Sequence, residues 1–169
     1  SLVHYLQFNR WNLAFIEESL DEIVKTKTIK VHYLKGNNRK QWFADPFILD
    51  VTPTTIVCLV EELSYKTMKG RIAKLIIDRK TYKLQSVKII LDLPTHLSFP
   101  FIYRRDGKVY IMPENSASGK SVIYTYNPFN DSLVIRNNVA NQPFTDATIF
   151  SDGKKSFLVT TRIPTPNGN

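Results

Sequence analysis

"FADPFILD" (residues 43–50) decides how this chain is read, because it returns as "LSFPFIYR" (97–104) and as "FTDATIFS" (144–151). Each copy is followed by a turn and a second apolar strand: "TIVCLVEE", "KVYIMPEN" and "KSFLVTT". The first two copies go on to a third and a fourth, "GRIAKLIID" with "QSVKIILDL" and "SVIYTYN" with "LVIRNNV". Alternating, Val-, Ile-, Tyr- and Phe-rich runs of this length are half-buried strands. The Asp-Gly pairs in "RRDGK" (104–108) and "SDGKK" (151–155) signal tight hairpins. Strands are therefore expected near 46–50, 55–62, 71–78, 86–92, 99–104, 108–113, 121–126, 132–136, 146–151 and 155–161.

Four strands repeating at roughly 50 residues is the spacing of a propeller blade, a small meander that buries its faces only against its neighbours. The expected fold is all-β, a β-propeller, with residues 42–169 supplying two blades and the first hairpin of a third. Propellers close with about four to eight blades, so two and a half cannot make a ring. The chain is expected to be a fragment of a larger propeller. Residues 1–41 form an N-terminal segment: "RWNLAFIEE" alternates like a strand, and "EESLDEIVKTK" reads as a short helix in which Ser19 and Glu22 form a capping box.

The 169 residues are 43% hydrophobic and 12% aromatic, a globular composition. Lys and Arg exceed Asp and Glu by 23 to 15, giving +8, yet the bases are scattered over turns and strand ends. A solvated basic surface fits better than a nucleic-acid face, so no nucleic-acid partner is expected. No run approaches the roughly 20 apolar residues of a membrane span, and no signal peptide is visible, which favours a soluble, cytoplasmic setting. The lone Cys58, inside "TIVCLV", is expected to be a buried small hydrophobe. His4, His32 and His96 are too dispersed for a metal site, and no phosphate-loop signature is present, so neither metal nor cofactor is expected.

In a blade the first strand is innermost, and aligned copies project aligned residues toward one cavity mouth. Asp45, Phe99 and Asp146 occupy that common place, so two units send a carboxylate to it. Paired carboxyls are what glycosidic hydrolysis needs, although Asp also caps turns in many unrelated settings. Glu114 ends the second strand of the middle unit and is a candidate acid or sugar ligand. Trp42 offers an indole face to a sugar ring or to packing. His96 is placed to bond a hydroxyl or phosphate, or to serve structure. One of Glu61 and Glu62 aligns with Glu114, and alternation lets only one face the cavity; Glu62 is taken as the binding residue. Arg162 closes "VTTR" at the matching level of the third unit, where its planar fork suits a carboxylate or phosphate.

"ADPF", "TDATIF" and the period resemble the five-bladed β-propeller glycosidases that include arabinanases, β-xylosidases, invertases and levansucrases. "WFADPF", "HLSFPFIYRRDGKVYIMPE" and "DATIF" resemble more closely a glycosidase-like propeller domain also found at the N-terminus of glucosamine inositolphosphorylceramide transferases. The glycosidase resemblance implies Asp45 as general base or nucleophile and Asp146 as the residue that tunes pKa and orients substrate. The general-acid glutamate of those enzymes belongs to a later blade, and "TPNG" near the C-terminus resembles the way into it. The leading expectation is a glycoside hydrolase with Asp45, Asp146 and Glu114 as its catalytic set and a carbohydrate or glycoconjugate as ligand. The alternative is a non-hydrolytic propeller that binds a glycan or an activated sugar beside a transferase domain, and a protein-interaction propeller is a third reading.

Overall fold

The computed structural model describes residues 10–162. Its body is two four-stranded antiparallel meanders followed by a hairpin. The first sheet runs in chain order through β3 (Gln41–Val51), β4 (Thr55–Ser64), β5 (Lys69–Asp78) and β6 (Leu84–Leu91). The second comprises β7 (Ser98–Arg105), β8 (Lys108–Glu114), β9 (Ser121–Asn127) and β10 (Ser132–Ala140), and the third unit is the hairpin of β11 (Phe144–Ser151) and β12 (Ser156–Arg162). Ahead of them, β1 (Ala14–Phe15) pairs with β2 (His32–Tyr33) around a six-residue helix α1 (Leu20–Lys25). No helix among the described residues is long and apolar enough to cross a membrane.

The local signals explain most of this. Ser19 caps α1 by accepting from the Glu22 N–H while the Glu22 carboxylate accepts from the Ser19 N–H, a complete capping box. Asp106 and Gly107 both adopt positive φ, 50° and 69°, as the two-residue turn between β7 and β8 demands. "RWNLAFIEE", by contrast, is a strand only at Ala14 and Phe15, because its apolar residues are drawn down onto the first sheet rather than along a partner strand.

Two apolar seams hold the units. Leu13, Phe15 and Leu34 of the N-terminal segment are buried against Phe43, Cys58, Val60, Ala73 and Leu75 on one face of the first sheet. The other face meets the second sheet through Leu59, Ile111 and Tyr126, flanked by Leu49, Ile90, Ile102 and Val109. Each fully buried Leu or Ile here contributes about 1.5–3 kcal/mol. Cys58 is fully buried, and burial pushes its thiol up to about 12, so it packs as an inert hydrophobe.

The repeat survives in backbone detail. β3, β7 and β11 lie side by side as the first strands of consecutive units. Each carries a one-residue bulge at the same place, between Ala44 and Phe47, Ser98 and Phe101, and Thr145 and Thr148. The residues at those bulges are Asp45, Phe99 and Asp146, with φ of 49°, 43° and 51°. The expected start of the first strand at residue 46 is thereby corrected. β3 begins at Gln41 and runs through the bulge, so Asp45 lies inside a strand rather than ahead of it.

Candidate functional site

A bulge re-aims the side chain it carries, and at Asp45 it does so next to the seam between the first two units. The Asp45 carboxylate accepts a hydrogen bond from the backbone N–H of Phe99, 3.2 Å away on the next unit. That bond helps hold Phe99, a bulky aromatic, in the left-handed region, where strain is expected and is tolerated mainly at functional places. The Phe99 ring packs edge-on against Phe47 at 4.9 Å. One unit further on, the Glu114 carboxylate accepts from the backbone N–H of Asp146 at 3.1 Å and from the Ser116 hydroxyl at 2.9 Å. A carboxylate of each of the first two units therefore grips the bulge of the next.

Glu61 completes the cluster. It pairs with Ala44 across β3–β4, just as Glu114 pairs with Ser98 across β7–β8. It is buried, and its carboxyl is hydrogen-bonded to that of Asp45. Burial first, then the Asp45 charge and this shared hydrogen bond, then Glu114, raise its pKa to about 7. His96 joins from the loop after β6: its Nδ1 accepts the Gly70 N–H at 3.0 Å, which leaves Nε2 to face a Glu61 carboxylate oxygen at 3.0 Å. The ring fits because residue 70 is glycine, for a Cβ there would stand 2.4 Å from the Leu97 carbonyl oxygen and 2.7 Å from the imidazole.

A cavity of about 450 Å³ opens onto this cluster, with Asp45 and Glu61 on one side and the indoles of Trp42 and Trp11 among its other walls. Trp11 is brought there by the buried Leu13 anchor two residues along. Among the described residues no lysine or arginine lines it, although the chain as a whole carries +8. Indole faces and hydrogen-bonding carboxyls are the two things a sugar ring offers C–H faces and hydroxyls to.

The structure brings Asp45, Trp42, His96 and Glu114 to one neighbourhood and sets Glu62 apart. Glu62 is fully buried on the opposite face, bonded at 2.9 Å to Arg71, and Glu61 takes the place the sequence reading gave it. His96 is half exposed but has both ring nitrogens engaged by the protein, so it positions Glu61 in this arrangement. Asp146 is exposed and reaches the cluster through its backbone N–H. Arg162 pairs with Phe144, the register position of Glu62 rather than Glu61. His4 and "TPNG" lie outside the described residues. Trp11 was missed by sequence reasoning, and its only signal was an indole two residues before an apolar position.

Residues 28–166 match the family described as glucosamine inositolphosphorylceramide transferase 1, N-terminal. The chain belongs to this family. Its relatives include glucosamine inositolphosphorylceramide transferase 1 of Arabidopsis thaliana, 32% identical over 108 residues, which is 64% of this chain and 14% of that protein. The proteins of the same name from Oryza sativa subspecies indica and japonica are each 26% identical over 117 residues, 68% of this chain and 15% of theirs. The chain thus matches about a seventh of the length of these family members. No solved structure matches it significantly.

Proposed function

We propose that this chain forms the first blades of a β-propeller that binds a glycan, or the sugar part of a glycoconjugate, without hydrolysing it, and that it serves a transferase carried by the larger protein. The observation that carries this reading is the convergence of Trp11, Trp42, Asp45 and Glu61 around one cavity. The bulge that recurs at the same point of three successive first strands supports the propeller. The transferase names of the relatives support the association.

Binding is favoured over glycosidic hydrolysis on geometric grounds. Hydrolysis needs two carboxyls held about 5–9.5 Å apart with the scissile bond between them. Asp45 and Glu61 are instead hydrogen-bonded to each other, and Asp45 and Glu114 each hold a backbone N–H. The cluster presents several carboxyl oxygens to a ligand, which suits hydroxyl recognition. With no lysine or arginine among its described lining residues, the cavity suits a neutral sugar better than the diphosphate of an activated one.

The test is a glycan array followed by calorimetry with the best ligand. Trp42→Ala should weaken binding about tenfold, and no reducing sugar should appear on long incubation. Turnover that Asp45→Asn abolishes would restore the hydrolase reading and sink this one.

A further inference from the structure

At the end of the first sheet where β3 begins and β4 stops, two basic turns lie side by side. Gln41 and Ser64 form the terminal pair of the β3–β4 ladder. Past that pair the two chains stay joined, because the Tyr65 N–H donates to the Lys40 carbonyl at 3.0 Å. Arg39 and Lys40 of "KGNNRK" (35–40) and Lys66 of "YKTMKGR" (65–71) are thereby gathered around one groove of about 580 Å³. It shares no lining residue with the sugar cleft. Each turn is fixed by its own bonds: Asn38 Oδ1 accepts the Lys40 N–H at 2.8 Å, and the Ser64 hydroxyl accepts the Lys66 N–H at 3.2 Å. Arg10 Nη2 donates to the Asn38 carbonyl at 2.9 Å, which brings a fourth cation alongside.

The bases on β5 and β6 are matched: Lys69 with Asp92, Arg71 with Glu62, and Lys74 and Lys88 with Asp131. Those of the groove are not. Arg39, Lys40 and Lys66 are exposed, their side chains have no acceptor among the described residues, and no described carboxylate lines the groove. Like charges held together by fixed turns make a positive potential that an anionic partner relieves. The potential is short. Three register steps along the same hairpin, about 10 Å at roughly 3.4 Å per residue, Ala44 pairs with Glu61 of the acidic cluster. That leaves room for a few extended residues and opposes a long polyanion such as a nucleic-acid strand. We propose that the groove docks a short acidic segment of a partner polypeptide, its carboxylates pairing with Arg39, Lys40 and Lys66. Clustered bases read acidic motifs in this way, and Gln41 and Ser64 give the groove polar groups that suit a peptide backbone. The proposal does not depend on the sugar cleft, so either can fail without the other.

The experiment is fluorescence anisotropy on the full chain with dye-labelled hexaglutamate, with hexaglutamine, an oligothymidylate strand and phosphatidylserine vesicles as comparisons. Hexaglutamate should bind saturably and more weakly as salt is raised, and hexaglutamine should not bind. Arg39→Gln, Lys40→Gln and Lys66→Gln should each weaken binding about threefold and the triple variant about thirtyfold, the size expected of exposed ion pairs. A second triple variant, Lys120→Gln with Lys154→Gln and Lys155→Gln, removes the same charge from exposed positions outside the groove and should bind like the unaltered chain. Circular dichroism should show the fold kept in both. Equal losses in the two triple variants would reduce the effect to net charge and overturn the proposal. So would no binding of hexaglutamate, or tighter binding of the oligothymidylate or the vesicles.

Discussion

Two carboxylate clusters lie along the seam between the first two units, and they are built in opposite ways. At the inner strands, Asp45, Glu61 and Glu114 gather with no lysine or arginine beside them among the described residues. At the outer strands, Asp131 of the second unit receives Lys74 at 2.5 Å and Lys88 at 2.8 Å from the first, and the Tyr126 hydroxyl from its own. Burial works against ionisation of Asp131, but the bonds from Lys74, Lys88 and Tyr126 outweigh it and hold the carboxyl well below the usual range. One cluster is compensated and fastens the units. The other keeps like charges together at a cavity, a cost that proteins accept at functional sites.

Breaking the compensated cluster should have the largest effect. Asp131→Ala leaves two lysines and a phenol without their acceptor and should destabilise the fold by about 3 kcal/mol in chemical denaturation. The native protein should lose this contribution as pH falls below the unfolded carboxyl value of 3.8, since the folded group binds its proton less readily.

The acidic cluster has the reverse sign. Glu61 binds its proton more tightly folded, near 7, than unfolded, near 4.5. Its stabilising share is complete below about 4.5 and is lost as pH rises through 7, roughly 3 kcal/mol for a shift of this size. Glu61→Gln should flatten that decline: near native stability at pH 5 and a gain of about 2–3 kcal/mol at pH 8, read by urea melts at the two pH values. An unchanged slope would mean that Glu61 is not the titrating group.

Trp42→Ala sharpens the same contrast through binding, with about 1.4 kcal/mol of sugar affinity lost and little change in stability at the Asp131 end. Smallest is Glu114→Gln. The amide oxygen still accepts the Asp146 N–H, so stability should change by less than about 1 kcal/mol. Removing that charge should lower the Glu61 midpoint by a few tenths of a pH unit, measurable by carboxyl NMR titration.

The repeat was legible because it is written three times, and the backbone bulge explains why: the same place in each copy needs a residue that will accept a left-handed conformation, and Asp fills it twice. Helix α1 was legible because a capping box is a local device. The choice between Glu61 and Glu62 was not, because β4 is buried on both faces and shows no alternation, while bulges on both sides of the Phe47–Ile48 step shift the register of its partner. Trp11 was hidden because the packing of Leu13 and Phe15 onto a sheet far along the chain brings it to the cleft, and no periodicity records that. The ion cluster at Asp131 joins residues more than fifty positions apart and leaves no mark in sequence at all.

The chain contains two tryptophans, and both line the proposed sugar cleft. Their indole N–H signals in a nitrogen-resolved NMR spectrum therefore report on it directly. On titration with the glycan that binds best, both signals should shift together and saturate, with the sugar signals showing no cleavage. Binding that leaves both indoles unmoved, or release of a new reducing end, would contradict recognition without hydrolysis at this cleft.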